Sequence, residues 1–523
     1  MVESSGLLGL ISIGYIGLLF VIAWLGDRHF NIFSHGTKNI FYGLSLAVYC
    51  SSWSFLGTVG MSSKNLLSHI PVYLAPIILF IIFFPLLTRI LAITRELKIT
   101  SMADFIASRY GKSQGLAALI TAIALIGTLP YFALQIKAMV NSVRIFDGQI
   151  SADNFTLAFV IAMVLALFTS LFGTRKLDAT EHHPGLMLAI AFEAVVKLVA
   201  FLIIGLVVCY VAFDGIGDIW QQSTERGLVN HENSFYNWGS LFTQILVMMA
   251  AFLCMPRQFH TMMVEAQDKD SLRKSRWIFP IYLVLAGLFV LPLGLAGKLI
   301  MDPAVSPDTY MISVPLYLGY DFLSYFGFLG AVSAATGMVI VAALTISIMV
   351  SNEWVVPLLL KTNTIEQRSF ERFSSSILNI RRFVIFIMMG LSWLFYTQVS
   401  GQNSLANLGQ ISFGVFIQIL PGLVGGVYWK HGNKKGVYVG LIMGLFIWFY
   451  TLLKPVQDTP DFFTNLAWLS DVEPSYNWIL VSLIFNLLFY VWGSMIFRPG
   501  VRERMQAGLF VNKADHKKAI KGS

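Results

Sequence analysis

Two hydrophobic stretches of this chain carry residues that a bilayer does not tolerate without a reason. Tyr49-Cys50-Ser51-Ser52-Trp53-Ser54 interrupts one, and Cys254-Met255-Pro256-Arg257-Gln258-Phe259-His260 interrupts the other. Lipid cannot satisfy freed backbone groups, so irregular backbone survives at that depth only where protein or a watery cavity surrounds it. Unwinding frees carbonyls near Ala47 and Cys50, which suit a cation, and leaves Tyr49, Ser51, Ser52 and Trp53 to face a solute. The same small hydroxylated residues also suit a tightly packed helix interface, and that alternative stays open. In the second stretch Pro256 removes a backbone donor and forces a kink. Arg257 and Gln258 beside it can hold a carboxylate, since guanidinium groups recognise carboxylates bidentately, or Arg257 can serve a structural pair. Phe259 adds an aromatic wall, and His260 is a candidate for a proton-linked charge, the ordinary role of histidine as a residue type.

Further polar residues sit inside otherwise apolar runs. Glu193 and Lys197 are four apart, share a helix face and are expected to pair, either permanently or as a pair that switches partner. Gln135 and Lys137 lie together on another run, with Tyr131 one turn earlier. Ser333 and Thr336 are three apart on a third. These groups suit ions or solutes, or structural pairs within the bundle, and they favour an enzyme poorly. No nucleophile elbow, phosphate-binding glycine loop or kinase signature is present. Cys50, Cys209 and Cys254 all fall in apolar runs and give neither a disulfide framework nor a zinc pattern. His182-His183 and His260 lack metal-ligand companions at suitable sequence spacing. No organic cofactor is expected.

The elements that must position these residues are membrane helices. A chain of 523 residues that is 56% hydrophobic and only 12% charged departs from soluble domains, which average about 25% charged residues. Thirteen segments approach the roughly 20 residues needed to cross a bilayer: 6–26, 40–61, 70–93, 114–146, 155–173, 185–213, 238–263, 277–300, 319–350, 382–399, 405–429, 434–453 and 475–497. Numbered in that order, the interrupted pair are spans 2 and 7. A matched pair of interrupted spans in two halves of a chain points to a transporter's binding site. Residues 1–497 read as one membrane domain and 498–523 as a basic tail. The first span is read as retained, not as a cleaved leader, because Glu3 is the only charge before it.

Basic residues orient the chain. Odd-numbered loops and the tail hold 28 of the 36 Lys and Arg; the other side holds Lys64, Arg144, Arg226, Lys298 and Lys454. Basic residues favour the cytoplasmic side, which predicts an outside N-terminus and a cytoplasmic C-terminus in the inner membrane. The net charge of +8 is then membrane anchoring, and no nucleic-acid partner is expected.

Three groups of residues carry a resemblance. Ile99-Thr100-Ser101-Met102-Ala103-Asp104-Phe105-Ile106-Ala107-Ser108-Arg109-Tyr110 resembles the Thr-x-Pro-Asp-Phe…Arg-Phe loop after the third span of sodium/solute symporters, with Met102-Ala103 in place of the usual proline. Phe413-Gly414…Tyr428-Trp429-Lys430…Gly436…Gly440…Gly444 looks like their late-span pattern, and Ala47 to Gly60 like their broken first core helix. The resemblance implies a LeuT-type fold, with spans 2–6 and 7–11 as inverted repeats. It also implies a Na+ site made by carbonyls of Ala47 and Cys50 with Ser333 and a second hydroxyl. Here Ala334 stands in that second place, with Thr336 about a turn on. Tyr49 replaces an aspartate of the proline transporters, and Pro184, with Glu181 three residues earlier, aligns near a sodium-linked aspartate. Sodium and proton coupling both stay open.

A narrower resemblance, to the transporter module of CbrA-type sensor histidine kinases, rests on Leu129–Lys137, Ala191–Leu198 and Pro256–His260. The tail, Glu503–Val511, is similar to the segment that leads there to cytosolic signalling domains. The resemblance implies an ion-coupled symporter importing a small polar organic solute by alternating access, an amino acid such as histidine. The rival reading is a nutrient-sensing receptor module; a free-standing transporter and a piece of a longer sensor both remain open.

Overall fold

The computed structural model describes residues 2–147, 155–173, 183–229, 238–361, 370–399, 405–453 and 474–519. The described residues are almost entirely helical. Among the described residues, nine helices are long and apolar enough to cross a membrane, and three sharply bent helix pairs bring the total to twelve. These twelve coincide with twelve of the thirteen segments expected. The remaining one, 434–453, is a helix from Lys434 to Trp448 continued by a wide turn over Phe449–Leu453. Twelve of the thirteen expected spans are thus found among the described residues. Large side chains such as Phe159, Leu167, Leu171, Ile203 and Leu206 point outward from the helices, an apolar exterior of the kind that lipid covers.

Spans 2 and 7 break where the polar interruptions place them. Span 2 runs as a helix from His35 to Ser45, tightens over Leu46–Tyr49, opens at Cys50 and Ser51, and resumes through a π-turn at Trp53–Gly57. The two halves, His35–Tyr49 and Trp53–Lys64, are bent by 71°. Span 7 ends its first half at Cys254; Met255 is extended and Pro256 starts the second half, bent by 62°. Proline at a first helical position loses no hydrogen bond, which makes it a natural restart. Span 3 is also broken, by 69° between Ile81 and Phe84. Its second half restarts with Pro85 in the first turn, a signal that its unbroken hydropathy concealed.

At the centre lies span 9, Asp321–Val350, almost wholly buried from Phe328 onward. Gly330, Ala331, Ser333, Ala334, Ala335 and Gly337 keep it slender, so that neighbouring backbones approach closely. The loop after span 3 shows why its residue pattern matters. Ser101 caps the helix Met102–Arg109 by accepting from Asp104 N, while Asp104 accepts from Thr100 N at 3.0 Å. Arg109, fully buried, donates to Gly426 O at 2.7 Å and Trp429 O at 2.9 Å, the last carbonyls of span 11. The tail helix, Val501–Ala519, docks at the same end: Phe510 meets Phe105 at 5.3 Å and Arg89 donates to Val511 O.

Arg109→Met keeps the stem of the side chain but strips those carbonyls of their charged donor. Hydrogen bonds to charged groups are worth about 1.5–3 kcal/mol each, so the variant should lose about 3 kcal/mol, read as a clear drop in thermal midpoint in detergent. An unchanged midpoint would show that span 11 does not need this tie.

Candidate functional site

The unwound segment of span 2 is held by a charge. Lys197, on the span 6 helix Pro184–Val207, donates from Nζ to Ala47 O at 2.8 Å and to Cys50 O at 2.6 Å. These are the carbonyls expected to hold Na+, so the ion site read from the sequence already contains an ammonium group. Lys197 is buried, and the two carbonyls left unsatisfied by unwinding compensate its charge where water does not. The direct Glu193–Lys197 pair expected from their spacing is replaced by this arrangement. Both groups reach across to other helices, Lys197 to span 2 and Glu193 to span 9.

Glu193 accepts from Thr336 Oγ1 at 2.7 Å through one oxygen, and its Oε2 is buried without a partner. Gly337 leaves room for it: a Cβ there would lie 2.3 Å from Oε2. Ser333 donates to Glu193 O at 3.0 Å and accepts from Tyr15 OH at 2.8 Å. Tyr15 belongs to span 1 and was no candidate; a lone phenol in an apolar run was its only signal. Ala334, where a second hydroxyl was sought, has no oxygen to give.

Span 4 supports the break from the other side. Ser51 Oγ bonds Tyr131 OH at 2.9 Å, and Ser52 N donates to Gln135 Oε1 at 3.2 Å. Tyr131 is also the platform for Arg257, whose guanidinium carbon sits 4.3 Å from the ring centroid. Arg257 is 3% exposed, and its Nε and Nη2 are buried without hydrogen-bond partners. A narrow cavity at the span 7 break is lined by Tyr131, Met255, Arg257, Met338 and Phe416 among others. Gln258 donates to Leu46 O at 3.3 Å; its Oε1, like Ser52 Oγ, has no partner. The arrangement can take an anion on Arg257 and a donor group on the orphan oxygens.

Other candidates turn elsewhere. Tyr49 donates to Val72 O at 2.8 Å and packs on Phe252, so its hydroxyl ties span 2 to span 3. Trp53 packs edge-on against Phe413. Phe259 faces Phe105 on the tail side, 5.6 Å between centroids. Lys137 is half-buried and lies near Asp308 in the connection after span 8. Burial pushes the Asp308 carboxyl upward, against the Leu405 N–H and the charges of Lys64 and Lys137.

His260 points to the opposite end, where Nε2 lies 3.4 Å from Glu265 Oε1, and His183 Nδ1 is 2.8 Å from the same oxygen. The three ligand atoms lie within 4.8 Å of one another, a group able to hold a metal ion. Sequence spacing alone denied these histidines a companion, because 77 positions separate His183 from His260. Glu181 and His182 lie outside the described residues.

No family profile matches the chain. It is 22% identical over 378 residues to an uncharacterized symporter, YodF, of Bacillus subtilis, across 71% of this chain and 70% of that relative. It is 24% identical over 351 residues to a monocarboxylate transport permease protein of Rhizobium johnstonii, across 65% of each. In three dimensions it resembles a Na+-coupled sialic acid symporter in a substrate-bound, outward-open state, with TM-score 0.63 and 13% identity over 94% of this chain and 98% of that one. The chain therefore has the fold of a multi-pass membrane transporter of the symporter type.

Glu265 sits just beyond span 7. Burial pushes its carboxyl upward, but bonds and charges from His183 and His260 more than offset this and hold it far below the usual carboxylate range. A depressed folded value gives stability that is present above the unfolded value, near 4.5, and lost as pH falls toward the folded one. Glu265→Gln should therefore lower the thermal midpoint at pH 7, with the gap from the parent protein closing below about pH 4.5. A gap that persists at pH 3 would count against the charge as its source.

Proposed function

We propose that this chain is an ion-coupled symporter that imports a small organic carboxylate by alternating access. One observation carries the reading: Arg257, buried at the span 7 break on Tyr131, keeps two guanidinium nitrogens without partners beside a cavity. An unpaired buried charge is expensive, and a bidentate carboxylate is the ligand whose geometry matches it. Arg257 and Lys197 outnumber Glu193 by one charge among these three groups, so a monocarboxylate brings the centre to neutrality. The names of the two relatives, a symporter and a monocarboxylate permease, support the class and argue against an enzyme. Amino acids, histidine included, are a second reading, favoured by Ser52 Oγ and Gln258 Oε1 as free acceptors for an ammonium group.

In this reading the bends of spans 2 and 7 are equivalent positions of inverted repeats 2–6 and 7–11, and the solute sits between them at the bilayer midplane. The N-terminus lies outside the inner membrane and the tail within the cytoplasm. The receptor alternative rests on one chain of contacts: Phe259 on span 7 meets Phe105, which meets Phe510 of the tail. A tail docked in this way would report span 7 movement to a partner, and substrate-dependent protease protection of residues 501–519 would reveal it.

The test is uptake of labelled short monocarboxylates and amino acids into proteoliposomes. Arg257→Gln should weaken apparent affinity about 100-fold, as expected for removing one partner of a buried charge pair, and Arg257→Lys should recover part of it. Unchanged affinity in both variants, or uptake confined to neutral solutes, would overturn the carboxylate reading.

A further inference from the structure

We propose that His183, His260 and Glu265 bind one divalent transition-metal ion of the Zn2+ class, which clasps the start of span 6 to the end of span 7.

The backbone sets the site. Span 7 ends in a π-turn over His260–Val264, closed by Glu265 N donating to His260 O at 3.0 Å. A regular α-helix has about 3.6 residues per turn, so positions five apart diverge around its axis. The wider π-turn brings them onto one face, and such turns recur at functional sites. Tyr42 of span 2 steadies this turn by donating to Met262 O at 2.6 Å. His183 immediately precedes Pro184, the first residue of the span 6 helix, and approaches Glu265 from there.

The donor atoms converge as ligands do. Glu265 Oε2 accepts from His183 N at 3.0 Å, which turns Oε1 toward the two rings. His183 Nδ1 lies 2.8 Å and His260 Nε2 3.4 Å from that oxygen. Ligands about 2.0–2.2 Å from a tetrahedral Zn2+ stand roughly 3.3–3.6 Å from one another, so small adjustments complete the shell. At 3.4 Å the His260 contact is long for a hydrogen bond. Its Nδ1 is buried with no hydrogen-bond partner among the described residues, so the ring has no strong bond to break before taking a metal. Two imidazoles and one carboxylate suit Zn2+ and its neighbours, whereas Mg2+ and Ca2+ prefer oxygen throughout. His260 and Glu265 are 1% and 2% exposed, and His183, at 12%, is the side on which an ion enters. Three protein ligands leave the fourth position to water.

The consequence for transport rests on the transporter reading above, in which spans 6 and 7 belong to different repeats. A metal held by His183 on one side and by His260 and Glu265 on the other ties the second half of span 7 to span 6. The repeats then cannot part at this end, and the cycle stops while the ion is bound.

Zn2+ binding to the purified full-length chain, with any affinity tag removed, is measured by calorimetry in detergent. One ion per chain is expected, bound about 100-fold more weakly by His183→Ala and by Glu265→Gln and equally well by His431→Gln. His183→Ala removes the least buried ligand and keeps the backbone donor to Glu265, so it preserves the fold best. Co2+ added to the parent protein should give the intense visible absorption of a four-coordinate site, a readout that needs no variant. Absence of stoichiometric binding, unchanged affinity in both variants or a six-coordinate Co2+ spectrum would overturn the site. These measurements need no solute, so their failure is distinct from failure of the carboxylate reading. In proteoliposomes, saturating Zn2+ should arrest uptake by the parent protein and not by His183→Ala. A Zn2+-loaded parent that transports at its full rate would overturn the clasp.

Discussion

The two hydrogen bonds from Lys197 to Ala47 and Cys50 are the constraint on which the middle of this protein depends. Breaking a helix inside a bilayer leaves carbonyls with no water to receive them, and burying a lysine leaves a charge with nothing to solvate it. Each problem is solved by the other. The unwound turn persists because an ammonium satisfies it, and the ammonium persists because two dipoles point at it. Replacing either side alone would leave a costly group behind, so the irregularity of span 2 and the basicity of span 6 form a single feature.

The rest of the centre extends from that feature as a connected set of bonds. Span 4 grips the break through Tyr131 and Gln135, span 3 through Val72 and Tyr49, and span 7 through Gln258 on Leu46. Glu193, Thr336, Ser333 and Tyr15 join spans 6, 9 and 1 behind it. Movement of the span 2 half-helices therefore requires exchange of specific partners. Arg257 stands apart in having Tyr131 as a platform while its Nε and Nη2 are buried without hydrogen-bond partners.

Charged groups also secure both ends of the broken spans. The far end of span 2 lies against Asp308, which accepts from Leu405 N at 3.1 Å and is close to Gly60. At its start, His35 reaches Asp268 at 3.2 Å, and Glu265 gathers His183 and His260 one turn away. Arg109 and the docked tail add a further layer at that end through Gly426, Trp429 and Phe510. Polar contacts thus tie the broken spans to their neighbours at both ends.

Much of this was legible in the residues. Runs of apolar side chains near twenty residues long mark the spans, because the bilayer thickness sets that length. Polar and proline interruptions located the breaks of spans 2 and 7, because a helix in lipid tolerates them only where they are compensated. The identity of the compensating partner was not legible. Spacing offered Glu193 to Lys197, yet the ammonium went to carbonyls nearly 150 positions away, and Tyr49 turned its hydroxyl to span 3. Helix rotation and cross-chain approach, which packing alone sets, brought His183 to Glu265 and bent span 3 at a place hydropathy reads as continuous. The sequence by itself determined that there would be a broken, charged centre within a bundle of membrane helices. Only the tertiary structure decided that the carbonyls freed at the break are met by the protein's own lysine, because that depends on which helix faces the break.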